Sequence, residues 1–298
     1  MHILRYCPSI RCAAFAAGLF AGLGLAGSAL AQSKLEARYT AALAGIPLGS
    51  GSLVVEVSPD QYTAVASGRT SGLVKLISDG SGSSGARGAL QGSTLVPNSY
   101  ASNSTSDKKA DEVRMTLRNG TVKDVRAEPP LEKSPDRVPV TDVHRTGVID
   151  PMTAAIMSVA GTGDTVSPEA CKRKLHVFDG RQRADIDLVF KRIEQVKADK
   201  GYQGPVVVCQ VLYNPVAGHR PERSAIKYLI AQRDMEIWFA PIAGTRLLAP
   251  YRFSVPTPFG VGTLQATYFV ANPQSAAIPA GAATAAARQA PAAAKATQ

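Results

Sequence analysis

Tryptophan, histidine and cysteine are scarce: the 298-residue chain has one Trp, four His and four Cys, and only 6% of its residues are aromatic. The scarcity of His and Cys argues against a structural zinc centre, which takes four such ligands, and leaves a site assembled from distant strands as a minor alternative. No two histidines stand four apart as in a zinc hydrolase, and there is neither a phosphate-cradling Gly-Lys loop nor a Gly-x-Ser-x-Gly elbow. Gly22–Gly27 does match a dinucleotide-binding glycine pattern, but not between a strand and a helix, where alone it carries meaning. The basic stretches lack the interleaved aromatic platforms of single-strand binders, and no nucleic-acid partner is expected.

Acidic residues are absent before Glu36. His2, Arg5 and Arg11 precede an apolar run over roughly 13–27, and Ala29-Leu30-Ala31 closes the segment. These are the three parts of a cleavable secretory signal, with cleavage expected after Ala31. The run is too short and too rich in Gly and Ala to favour a permanent membrane span, although a retained anchor is the alternative reading. The expected organisation is a signal peptide at 1–31, one β-rich domain at 32–270 and a disordered Ala/Pro-rich tail at 271–298, in a periplasmic protein. The tail has no apolar pattern able to offset its ordering entropy. Cleavage removes Cys7 and Cys12, leaving Cys171 and Cys209, which in an exported chain are most economically one disulfide.

What is abundant is period-two alternation. Leu35, Ala37, Tyr39, Ala41 and Leu43 alternate with polar residues, as do Val113, Met115 and Leu117, and Ala184, Ile186, Leu188 and Phe190. One apolar and one wet face mark antiparallel strands. Val206–Leu212 and Glu236–Ala240 are apolar throughout and read as central strands or strands beside the disulfide. Asn119-Gly120 and Asp179-Gly180 are tight-turn signals, while Gly45–Gly49 reads as a longer connection and Ser81–Gly85 as flexible loop. Asp150-Pro151 opens a helix expected to run to Val159 and stop at Gly161; a short helical turn near Gly72–Ile77 is a second candidate. Helical crossovers are missing, so parallel sheets are disfavoured. The predicted fold is mainly β: a large antiparallel sheet curled into a barrel, half-barrel or spiral, with one short helix near 150–160. A two-sheet sandwich is the alternative, and the proline-rich stretch Glu128–Val143 reads as a break between two halves.

Several segments together resemble a family of exported, mostly proteobacterial proteins catalogued as a domain of unknown function. They are Tyr39 with Gly45–Gly49, Gly147–Pro151, Val177-Phe178-Asp179-Gly180-Arg181, and Cys209 followed by Tyr213–Gly218. The resemblance implies a periplasmic β-rich protein and carries no catalytic residues.

No catalytic set, metal site or cofactor is expected. Asp179 reads as turn chemistry, and Asp185 and Asp187 as a solvated strand face. Lys172, Arg173, Lys174, Arg181, Arg183, Lys191 and Arg192 form a candidate basic patch, for which anionic lipid, lipopolysaccharide, an acidic cell-wall polymer or an envelope protein are fitting partners. The rival reading is an ordinary solvated hairpin face. The leading expectation is a non-catalytic periplasmic protein that binds such a ligand or partner in envelope maintenance. An envelope-directed hydrolase using carboxylates from separate strands, and a purely structural scaffold, are its rivals.

Overall fold

The computed structural model describes residues 32–71, 79–107 and 109–274. The leader with its cleavage site, the helical turn expected at 72–77 and residues 275–298 of the tail lie outside the described residues.

The elements follow in the order β1 (Gln32–Leu43), β2 (Ile46–Val57), β3 (Gln61–Thr70), β4 (Gly80–Gln91), β5 (Thr94–Ser106), β6 (Lys109–Arg118), β7 (Thr121–Glu128), α1 (Pro151–Ala155), β8 (Met157–Ser158), β9 (Arg173–Phe178), β10 (Arg183–Lys197), β11 (Lys200–Gly201), β12 (Gln203–Ala217), α2 (Ser224–Ala231), β13 (Glu236–Pro241), β14 (Leu247–Thr257) and β15 (Gly260–Gln274). All described strands belong to one sheet, ordered β7-β6-β5-β4-β3-β2-β1-β15-β14-β13-β12-β10-β9. The ladders along this path are antiparallel, and the two halves of the chain join where β1 pairs with β15. The proline-rich stretch therefore connects the two ends of one sheet instead of dividing it.

Those ends approach each other without forming a ladder. A strap over 146–150 runs between them: the Val148 amide donates to the Gly120 carbonyl at 2.8 Å, and the Ile149 amide to the His176 carbonyl at 2.9 Å. The Asp179-Gly180 turn packs on the opposite end, so that a β-carbon at Gly180 would lie 2.3 Å from Val113 Cγ1. The sheet is thus curled but not closed by continuous strand pairing.

Alternation places Leu35, Val55, Tyr62, Met115 and Phe269 in the concave core. The continuously apolar strands are buried on both faces. Val206, Val208 and Trp238 face this core, while Val207, Cys209 and Phe239 face a second cluster with Met157, Val166 and Cys171. The Cys171–Cys209 disulfide, with Cα atoms 5.5 Å apart, fastens the segment covering that second face to β12.

Four local expectations are corrected. The helix ends at Ala155, not Val159, because Met157 and Ser158 pair with Leu248 and Leu247 of β14; strand pairing overrides helical propensity there. Ser81–Gly85 is not a loop but part of β4, held between β3 and β5. The first turn is tighter than expected: Ala44 and Gly45 both take positive φ (49° and 83°), and β2 begins at Ile46. Ala271–Gln274, expected in the tail, extends β15 beside β1.

Candidate functional site

The helix α1 is held inside the curl by its own cap. Asp150 is fully buried, and its Oδ1 accepts the Met152 and Thr153 amides, each at 2.9 Å, as an N-cap does. Its Oδ2 accepts the Thr153 hydroxyl at 2.5 Å, and Tyr62 Oη of β3 lies 2.6 Å from that hydroxyl. Burial raises the Asp150 carboxyl and the Tyr62 phenol above their ordinary pKa ranges. Pro151 needs no amide partner at this position. A single helical turn is thus pinned to the sheet wall by a buried polar chain.

Two apolar cavities of about 490 Å³ each flank this turn. The first opens at the ends of β1–β3, with Tyr39, Leu53, Met152 and Leu264 among its walls. It exists because inward positions that should carry core side chains hold Gly49, Gly51, Ala66 and Gly68. Close strand approach explains two of these glycines: an added β-carbon would lie 2.6 Å from the Arg69 carbonyl at Gly49 and 3.0 Å from the Ser67 carbonyl at Gly51. At Gly68 the nearest atom would be 3.7 Å away, so nothing steric demands a glycine there. The second cavity lies on the other side of α1, walled by Leu188, Val211, Phe239, Phe253 and Leu229 of α2, with Tyr213 its one polar-tipped side chain. Ala155 lines both.

Beside the first cavity, the outer face of β1–β5 forms a shallow polar trough of about 680 Å³ that contains Ser52, Ser67, Ser83 and Asn103. Arg38 and Arg69 stand in it, and neither has a carboxylate partner among the described residues. Arg38 stacks on Tyr268, 5.0 Å from the ring centroid, and Arg69 also lines the apolar cavity.

The seven basic residues of the 171–192 region are placed differently. Lys172 bonds Glu169, Lys174 lies 3.6 Å from Asp187, and Arg173 donates to the Ser158 carbonyl at 2.6 Å. Arg181 pairs with Asp111 across the sheet ends and donates to the Pro129 carbonyl. Arg183 is buried against Asp185 at 2.9 Å. Lys191 and Arg192 share Glu236, at 2.6 and 2.9 Å. Arg192 also holds Glu194, whose other oxygen accepts the Trp238 indole N–H at 2.6 Å. Hydrogen bonding from Arg192 leads in drawing the Glu236 carboxyl down to about 2. The Glu194 carboxyl is also lowered, its indole and Arg192 hydrogen bonds outweighing desolvation. Both acids are held as anions by one guanidinium, and neither is poised as a proton donor near neutral pH.

His176 Nδ1 lies 2.8 Å from Asp185 Oδ1, and burial lowers the pKa of His219. Among the described residues no group of three or more His, Cys, Asp and Glu side chains is arranged to hold a metal ion. Sequence reading missed the cavities because inward glycines and serines look like loop composition. The detectable signal was the run of Gly and Ser at alternate positions within segments that otherwise pair.

A family model described as protein of unknown function (DUF3108) matches residues 38–267. A crystal structure described as a beta-barrel-like protein of domain of unknown function DUF1849 from Brucella abortus is similar at 11% identity and a TM-score of 0.46, covering 82% of this chain and 98% of that one. No curated protein matches the chain.

Proposed function

The chain belongs to the DUF3108 family of proteins of unknown function, and from its cavities we propose that it is an exported, periplasmic binding protein for a lipid-like ligand, holding an apolar chain inside the curled sheet. The observation that carries this is the first cavity: an apolar space of about 490 Å³ within a sheet whose neighbouring core is filled by fully buried large side chains. That volume lies in the range of small-molecule sites, which are mostly apolar with a few polar groups at one end. Here Arg69 and the serine rim supply the polar end. Export is supported by the leader pattern and by the disulfide, a bond that persists in oxidising compartments. A polymer or lipopolysaccharide site at Lys172–Arg192 is less favoured, because those cations already have partners within the fold.

The test uses delipidated protein and a fluorescent fatty acid, dansyl-undecanoate. Saturable binding with enhanced emission is expected. Gly68→Leu, which places a side chain in the cavity without meeting backbone, should weaken it at least tenfold while leaving the thermal midpoint within a few degrees. Absence of saturable binding, or equal binding by a folded Gly68→Leu variant, would overturn the proposal.

A further inference from the structure

Next to the cavity mouth, two hairpin tips project side by side. The β1–β2 turn carries Ile46 and the β14–β15 turn carries Phe259 and Val261, which are 58%, 80% and 46% exposed. The tips are bonded to each other: the Ala44 amide donates to the Val261 carbonyl at 2.9 Å. The second turn is stiff, because Thr257 Oγ1 accepts the Phe259 amide at 3.1 Å and donates to the Gly260 carbonyl at 2.7 Å. The Phe259 ring is therefore held in water by ordered backbone, which is a cost in the isolated protein.

Charge is missing from these two hairpins, although Asp79 is exposed on the neighbouring β3–β4 connection. No Asp, Glu, Lys or Arg occurs between Arg38 and Glu56, and none between Arg252 and Gln274. Behind the tips, β1 and β3 each carry an arginine as their first charge. Arg69 pairs in register with Ser50, four residues along β2 from Ile46, or roughly 14 Å at strand rise. Arg38 shares its trough. An uncharged apolar prow with unpaired arginines a headgroup's depth behind it matches the layered chemistry of an anionic bilayer, whose acyl boundary accepts aromatic and aliphatic side chains and whose phosphates attract arginine. From the tip, two residues along the strands lead from Leu43 to Ala41 and from Ile46 to Leu48, both of which line the cavity.

We infer that the paired tips around Ile46, Phe259 and Val261 are a docking surface for an anionic lipid bilayer, set so that the cavity opens toward the membrane. The choice of lipid over a protein partner rests on the chain-binding reading; the exposed prow itself does not.

The whole mature chain is tested by flotation with phosphatidylcholine vesicles containing a quarter phosphatidylglycerol. Binding is expected, weaker at high salt and weaker on vesicles of phosphatidylcholine alone. Phe259→Ser and Ile46→Ser, both at solvent-exposed tips, should each reduce partitioning roughly tenfold without lowering the thermal midpoint. In Phe259→Trp, the new indole should shift its emission to the blue on vesicles and be quenched by brominated lipid. Gly68→Leu should still float while failing to bind dansyl-undecanoate, which separates the two proposals. Failure to float, undiminished flotation of Phe259→Ser, or self-association through the tips without vesicle binding would overturn the inference.

Discussion

The Tyr62 hydroxyl lies 2.6 Å from Thr153 Oγ1, joining the wall strand β3 to the internal turn α1 across 91 residues of sequence. Thr153 has one hydroxyl proton and gives it to Asp150, so Tyr62 is the donor in this contact. The chain Tyr62, Thr153, Asp150 is what keeps α1 between the two cavities.

Removing its ends should have unequal effects. Tyr62→Phe leaves the Thr153–Asp150 bond intact and should cost about 1 kcal/mol. Asp150→Ala removes three accepted hydrogen bonds in a buried site and should cost about 1–3 kcal/mol. Urea unfolding of both variants checks the order; equal losses would show that α1 is not held by its cap.

Asp150→Asn should retain most of the cap while removing a buried charge. Burial raises the folded-state pKa of Asp150 above its unfolded value, so the folded state binds the proton more tightly. Stability from this group is present below the ordinary Asp range and declines as pH rises through the folded pKa. The Asn variant should therefore gain relative to the parent as pH rises from that range toward neutrality. A difference that does not change with pH would refute this.

Much of the sheet was readable from alternation, because one wall of a curled sheet faces the core and the other faces water. Leu35, Ala37 and Val113 fall on the inner face as their pattern requires. The apolar runs at Val206 and Trp238 were legible as central strands because both their faces are covered. A helix to Val159 is an overextension because Met157 favours a helix locally, and only its pairing with Leu248, 91 residues away, decides otherwise. The cavity was not legible. A glycine such as Gly49 signals a turn in a sequence, whereas here it lines the cavity and a β-carbon would lie 2.6 Å from the Arg69 carbonyl of the neighbouring strand. Of the basic residues, sequence gave the positions but not the partners, since Asp111 and Glu236 lie 70 and 44 residues from Arg181 and Arg192.

The disulfide should matter more than its single bond suggests. Cys171 and Cys209 are both fully buried and separated by 38 residues. Closing such a loop restrains the unfolded chain by roughly 3–4 kcal/mol. Replacing both with Ser should lower stability by about that much and loosen the covering segment around Val166 first. Hydrogen exchange would show protection lost there ahead of β1 and β15.

Acid should weaken the cluster around Arg192. The Glu236 carboxyl, held at about 2 when folded, lies below its unfolded value of 4.5, so its contribution is present above about 4.5 and is lost as pH falls toward 2. The pair is partly exposed, which reduces its weight through solvent screening. Glu236→Gln should flatten the acid limb of the stability profile and change little at neutral pH. An unchanged acid limb would assign that sensitivity elsewhere.

Two glycines separate curvature from cavity. Gly180 has φ +97°, and an added β-carbon would lie 2.3 Å from Val113 Cγ1, where the β9–β10 turn abuts the far end of the sheet. Gly68 has no positive φ and no atom within 3.7 Å of the corresponding point. Gly180→Ala should therefore destabilise by roughly 2 kcal/mol or more through strain and overpacking, while Gly68→Ala should stay within about 0.5–1 kcal/mol of the parent. Adding Val113→Ala to Gly180→Ala should recover part of the loss, because the clash goes while the strained φ stays. If the two glycine variants lose equal stability, or if the double variant shows no recovery, the sheet ends do not meet at this contact.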